Sequence, residues 1–369
     1  MNKEQTNKDI RLVPAKVIPL PPVGIDKAAL ISELTAAHAA VGELRGFIGT
    51  LQNPDLLIAP FRKREAVASS AIEGTRATLD EVMEYEAKED SVVDEADQKI
   101  LDIIEVMNYE SAMGVALREL KERPIGENLL KRTHSRLLQS VRGTDKDRGN
   151  FRKTPVRVGD YVPPVCTDII PLITNWERYL NSDMEPDALI RIGVAHYQFE
   201  AIHPFMDGNG RIGRLIIPLF LRQTGMLQTP VLYISHYLEQ YKVEYQRLLH
   251  RIDTDQEWTE WLKFFLRAVE EQAKITTTMA KNIQDLYERL KVTVVGEIRS
   301  QHSIAMLDLI FSRPILTASH VRDAISARSK GTAYNLLEKF VAAGVLTELK
   351  TSGKEKFYGF SELRKLIRA

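Results

Sequence analysis

Apolar positions recur at helical spacing through most of the chain. From Asp26 to Ile48 the residues Leu30, Leu34, Ala37, Val41, Leu44 and Ile48 fall three or four apart, which predicts one amphipathic helix. The same periodicity predicts helices at 60–73, 76–88, 92–121, 128–140, 167–181, 186–202, 236–250 and 256–299. A helix from Gly210 to Gln223 should close at Gly225, with a kink at Pro218. Ahead of the first helix, VPAKVIPLPPVG carries four prolines and reads as an extended strap. Residues 142–165 break the pattern with Gly, Pro and charge, and Val156, Val158 and Tyr161 among turn residues predict a short surface hairpin.

The last stretch has a separate grammar. Helices near 303–311, 317–325 and 330–343 precede VLTELKTSGKEKFYGF, two alternating strands around Ser352-Gly353. Three helices and a hairpin predict a winged helix-turn-helix domain, with Lys330 to Ala343 as recognition helix and Lys350, Lys354 and Lys356 along the wing. From Ser326 to Ala369 there are nine Lys/Arg against four Asp/Glu, so contact with DNA phosphates is one use of this domain. Protein contact or dimerisation is the other. The expected fold is therefore all-α. It has an N-terminal helical domain (1–100), a core with a small hairpin (101–275), a linker helix (276–299) and the winged helix (300–369).

Charge and cysteine narrow the class of protein. Fifty basic residues balance fifty acidic ones, which argues against a surface coated in nucleic acid or anionic lipid. The lone cysteine, Cys166, cannot form an internal disulfide and suits a reducing compartment. The polar start, MNKEQTNKDIR, has no signal-peptide core, and no apolar run of about 18 residues predicts a membrane span. The expected location is the cytoplasm.

The chemistry concentrates in His203 to Arg214, HPFMDGNGRIGR. Gly208 and Gly210 allow successive backbone N–H groups to face one concave nest, and Gly213 follows within the same short segment. A helix starts there, and its N-terminus attracts anions. Arg211 and Arg214, three apart, can face one ligand with forks suited to phosphate oxygens. Asp207 beside such a nest suits Mg²⁺ carried by phosphates, and His203 suits removal of a hydroxyl proton near neutral pH. Base, metal carboxylate and anion nest together describe phosphoryl or nucleotidyl transfer.

This segment resembles the Fic signature, HPFxDGNGRxxR, at every fixed position, and Ala195 to Ile202 resembles the helix before it. The resemblance implies a helical core that binds ATP and Mg²⁺ and transfers AMP to a Ser, Thr or Tyr hydroxyl of a target protein or of itself. It implies His203 as general base, Asp207 as metal ligand, and Phe205 as the residue anchoring the loop. Asn209, Gly210 and Arg211 would hold the α- and β-phosphates, with Gly208, Ile212 and Gly213 in the same nucleotide-binding segment. Arg214 would reach the γ-phosphate. Tyr241 or Tyr245 would border the adenine. The hairpin at 155–162, with Val156, Arg157, Val158 and Gly159, resembles the family's target-docking flap, which pairs with a target strand through backbone bonds.

A second motif lies upstream. SSAIEG places Ser69 and Glu73 four apart on one helix face, closed by Gly74. It resembles the family's inhibitory motif, (S/T)xxxE(G/N), in the class that carries it N-terminal to the core. That implies a Glu73–Arg214 pair in the place of the γ-phosphate. Homodimers are common in such a family. A nucleotide-sensing DNA-binding regulator, or an enzyme that removes AMP with Glu73 activating water, are the rival readings.

Overall fold

The computed structural model describes residues 13–88, 97–139, 147–326, 329–349 and 356–368. Fifteen helices carry the described chain. The N-terminal group is α1 (Ile31–Thr50), α2 (Asp55–Ile72), α3 (Leu79–Glu86) and α4 (Gln98–Glu119). The middle holds α5 (Glu127–Leu137), α6 (Ile169–Leu180), α7 (Ala188–Ile202), α8 (Asn209–Gln223), α9 (Ser235–Gln240) and α10 (Lys242–Asp255). The long α11 (Trp258–Thr293) leads to α12 (Ser303–Ser312), α13 (Ala318–Ala324), α14 (Lys330–Ala342) and α15 (Ser361–Arg368). No described helix is long and apolar enough to cross a membrane.

Two helices form the centre. Every residue of α7 from Leu189 to Phe199 is buried, and so is every residue of α8 from Arg211 to Leu221. Helices covered on all sides must be apolar nearly all round, and these sequences are. The short loop joining them, 203–208, is thereby held between two rigid bodies. Pro218 lies inside α8, which runs on through it. Along α1, Glu33 pairs with Arg267 at 2.9 Å and Glu43 with Lys281 at 3.0 Å, so α1 and α11 run in the same direction. The proline strap is extended and tied down: Ala15 N–H donates to Val162 O, and Leu20 exchanges two bonds with the Asn175 amide.

Several boundaries differ from the sequence reading. The helix predicted at 60–73 begins five residues earlier, at Asp55, and runs on through Pro60, whose missing N–H leaves the Leu56 carbonyl without its intrahelical donor. The segment predicted as one helix at 236–250 is two, α9 and α10, parted at Tyr241. The helix predicted at 256–299 ends as an α-helix at Thr293 and finishes in a wider turn, Val294–Ile298.

The C-terminal unit contains a small antiparallel sheet of strands β1 (Ile315–Leu316), β2 (Thr347–Glu348) and β3 (Tyr358–Gly359), in the order β1-β3-β2. Leu316 faces Tyr358 and Thr347 faces Gly359. Strand β1 and helix α15 were not anticipated. Phe311, Phe340 and Phe360 fill the core beneath the sheet, all fully buried. Of the expected wing lysines, Lys356 pairs with Glu348 at 3.0 Å across the two strands; Lys350 and Lys354 lie outside the described residues. This unit leans on the N-terminal group: Arg364 and Arg368 both reach Asp80 at the start of α3.

Candidate functional site

The loop between α7 and α8 is built by residues far apart in sequence. His203 ends α7 with φ +48°, a left-handed conformation that a non-glycine residue adopts only when its surroundings enforce it. Those surroundings are Arg152: its Nε donates to His203 O at 2.8 Å, and its backbone N–H donates to Pro204 O at 2.8 Å. Arg152 Nη2 also donates to Pro164 O, and its Nη1 lies 3.3 Å from Cys166 Sγ. Phe205 is fully buried and stacks on His134, ring centres 3.9 Å apart. Gly149 N–H donates to His134 Nδ1, so His134 Nε2 carries the proton it donates to Asp207 O at 3.0 Å.

Replacing Phe205 by alanine is expected to lower stability by about 3–5 kcal/mol, since a large buried ring leaves a cavity that the two helices cannot close. Urea unfolding of the variant measures this; a loss below about 1 kcal/mol would mean the loop is held without it.

Asn209 acts differently from the sequence reading. Its Oδ1 accepts from Phe205 N–H at 2.8 Å and its Nδ2 donates to Phe205 O at 2.9 Å. Both ends of the amide are spent on the loop backbone, so the Asn209 side chain shapes the loop. Gly208 has φ +75° and caps α8, the conformation that glycine adopts without strain. A Cβ on Gly210 would lie 2.3 Å from Glu73 Oε1 and 2.8 Å from Arg214 Nη1. Only a bare backbone lets an anionic group approach the first turn of α8 this closely. Ile212 is fully buried in the core, and Gly213 packs against the Glu200 carboxyl.

Arg214 is almost wholly buried, and α2 supplies its partners. Nε donates to Ser69 Oγ at 2.9 Å, Nη2 to Ser69 O at 2.9 Å, and Nη2 to Glu73 Oε1 at 2.6 Å. Glu73 therefore sits over the N-terminal turn of α8, where the helix dipole favours a negative charge. Burial opposes its ionisation, but Arg214, with help from Arg211 and His203, outweighs burial and holds the carboxyl below the usual range. The stabilisation from this pair is complete above the unfolded carboxylate pKa and is lost as pH falls through the lowered folded value. The pair is ionised at neutral pH. Beyond Glu73, Gly74 has φ +98° and turns the chain, and Lys242 Nζ donates to Ile72 O.

Other ionisable groups surround this pair. His203 Nδ1 lies 3.3 Å from Glu200 O, a carbonyl that can only accept, so the proton sits on Nδ1 and Nε2 carries a free lone pair. Burial pushes the His203 pKa down to about 4, so the ring is neutral at pH 7. Arg211 pairs with Asp207 at 3.5 Å and with Glu105 at 3.7 Å, while its buried Nε and Nη1 make no hydrogen bond. Buried donors left unfilled beside a glycine cradle fit an incoming phosphate.

Two supporting groups, Glu200 and Glu65, had no signal in the sequence. Glu200 is raised to about 7, chiefly by burial. Glu65 is likewise raised to about 7 by burial and accepts from Tyr109 Oη at 2.9 Å and Ser235 Oγ at 2.5 Å. Tyr245 Oη bonds His196 Nε2 at 2.9 Å, and the phenol is buried in the core beside Arg214. Tyr241 stays partly exposed and packs on Tyr237, ring centres 4.6 Å apart. Of the two tyrosines, only Tyr241 offers an open ring face.

The expected hairpin is a single bridge, Val158 with Tyr161, around Gly159. Residues 157–160 are exposed, and Val156 is half-buried. With α7 and α10 this turn walls a cavity of about 390 Å³ that includes Glu200, His203 and His250. Exposed backbone at 157–160 thus stands across a groove from the free Nε2 lone pair.

Residues 31–118 match the family model described as Fic/DOC family N-terminal, and residues 124–221 match the model described as Fic/DOC family. The chain belongs to the Fic/DOC family. It is 34% identical over 163 residues to "Protein adenylyltransferase Fic" of Drosophila grimshawi, covering 42% of this chain and 32% of that protein. Against the protein of the same name from Drosophila ananassae it is 35% identical over 155 residues, 41% of this chain and 29% of that protein. The chain thus spans about a third of the length of these curated relatives. A solved Fic family protein from Desulfovibrio desulfuricans G20 has the same fold at a TM-score of 0.59 and 22% identity, over 93% of this chain and 98% of that one. Fic-1 from C. elegans matches at a TM-score of 0.52 and 22% identity, over 72% of this chain and 76% of that one.

Proposed function

We propose that the chain is a protein adenylyltransferase restrained by its own α2. The single observation that carries this is the set of three bonds from Arg214 to Ser69 and Glu73, made over the glycine cradle at the start of α8. In the transfer, a Ser, Thr or Tyr oxygen attacks the α-phosphorus of ATP and forms a P–O bond. The bond to the β-phosphate oxygen breaks, and pyrophosphate leaves. His203 Nε2 takes the hydroxyl proton. Arg211 and the N–H groups of α8 hold the phosphates, and Arg214 reaches the γ-phosphate once Glu73 has left it. The target strand lies along 157–160 and presents its hydroxyl to His203 through backbone pairing, which leaves the target's side chains free to vary.

Asp207 would hold Mg²⁺ together with the phosphates. Among the described residues no group of three or more His, Cys, Asp or Glu could hold a metal by itself, which fits an ion that arrives with the nucleotide. Mg²⁺ would offset phosphate charge.

Intact-mass spectrometry after incubation with ATP and Mg²⁺ tests the proposal. Addition of AMP to the chain supports it; addition of a phosphate instead, or of nothing even when Glu73 is removed, overturns it. The lowered His203 pKa adds a pH test. A base that is neutral down to about 4 predicts transfer rates nearly flat from pH 8 to pH 6. A rate that falls tenfold across that range would place the essential group at an ordinary histidine pKa.

A further inference from the structure

A second charged cavity, of about 450 Å³, lies between α2, α4 and the end of α12, and the proposed reaction makes no use of it. Its floor is a closed ion network. Lys63 Nζ donates to Glu86 Oε2 at 2.6 Å and to Glu110 Oε2 at 2.8 Å, and Arg62 Nε donates to Glu110 Oε1 at 3.1 Å. These are the two carboxylates that line the cavity, and both are engaged by floor cations.

The rim is different. Arg118, Arg136 and Arg313 also line the cavity. Arg136 donates to the neutral Ser111 Oγ and Gln139 Oε1. Arg313 Nη1 lies 2.8 Å from His320 Nε2, and Arg313 donates to the Glu86 carbonyl. Arg118 has no ion-pair partner among the described residues. Five cations thus face two carboxylates around one polar space, an excess of three positive charges.

We propose that this cavity binds a small phosphate-bearing anion, of the size and charge of a diphosphate or a phosphorylated metabolite. Like charges gathered around a cleft repel one another and focus an opposite charge into it. Guanidinium forks match phosphate oxygens two at a time, and the rim is all arginine. The volume falls within the roughly 300–1,000 Å³ of small-molecule sites. A polar, cationic wall disfavours an apolar peptide or an acyl chain. The walls come from the inhibitory helix α2, through Arg62 and Lys63, and from the C-terminal unit, through Arg313. A bound anion therefore bridges the two.

Calorimetric titration of the full chain with inorganic pyrophosphate, without ATP or Mg²⁺, tests this apart from any transfer activity. Two classes of site are expected, one at the α8 cradle and one here. Arg211→Gln should weaken the first and spare the second. The pair Arg118→Gln with Arg313→Gln should weaken the second at least tenfold and spare the first. Arg118 is exposed, so Arg118→Gln alone repeats the test should the double variant misfold by circular dichroism. If the natural chain shows only the class that Arg211→Gln removes, or if Arg118→Gln leaves both classes unchanged, the proposal fails. Loss of all transfer activity with two binding classes intact would overturn the enzymatic reading and leave this site standing.

Discussion

Replacing Glu73 by glycine is expected to raise self-labelling with AMP by about a hundredfold. The reason is geometric. Glu73 Oε1 lies 2.6 Å from Arg214 Nη2, and that carboxylate stands where a terminal phosphate would otherwise meet the guanidinium. On the proposed restraint, ATP entering beside it would place its tail elsewhere, with the α-phosphorus rotated away from in-line attack. A displacement of about 1 Å at the reacting atom costs on the order of a hundredfold in rate. Glycine at this position keeps the backbone, because residue 73 sits at φ −86° past the last turn of α2. Fold and ATP affinity should therefore persist. The measurement is the initial rate of radiolabel incorporation from α-labelled ATP into the natural chain and the variant. Equal rates, with ATP binding intact, would show that the Glu73–Arg214 pair is structural and that control lies elsewhere.

Replacing His203 by alanine in the Glu73→Gly background is expected to lower transfer by a factor of about 10² to 10⁴, the span that one positioned proton acceptor contributes. Nucleotide affinity should change little, because the phosphates meet Arg211, Arg214 and the N–H groups of α8. His203 also holds a left-handed turn, so a structural loss must be told apart from a chemical one. His203→Asn makes that distinction, since asparagine tolerates this backbone region but cannot accept the proton. Both variants should fail alike. If asparagine restores transfer, the residue shapes the loop and something else takes the proton.

The chemistry of the site was legible because one short segment carries it. Twelve consecutive residues, His203 to Arg214, hold the proposed base, the proposed acidic ligand, the glycine cradle and both arginines. The residues that hold this segment in place were not legible. His134 and Arg152 lie more than fifty residues upstream and in different elements, and neither sits in a local pattern that would mark it. Glu200 and Glu65 read as ordinary helical glutamates until the fold buries them. Asn209 reads as a phosphate contact because it stands between Gly208 and Gly210 in an expected anion nest, and only the loop geometry turns its amide back onto Phe205. Periodicity found nearly every helix of α1–α14, since each must bury a face. It missed the break at Tyr241, where no Pro or Gly interrupts the helical pattern. It also missed β1, too short for an alternating pattern to register.

Arg214 is gripped twice by Ser69, once through the hydroxyl and once through the backbone carbonyl, and only once by Glu73. Two of those three anchors survive when Glu73 swings aside, and Nη1 already points toward the open cradle beside Gly210. If Glu73 restrains the site as proposed, release would ask only that its carboxylate leave Arg214 at the C-terminal end of α2, with the helix itself staying docked. On that proposal, an activating signal would need only to capture or repel a single carboxylate, and a modest charge change near residue 73 would suffice where a hinge or a domain swing would demand far more.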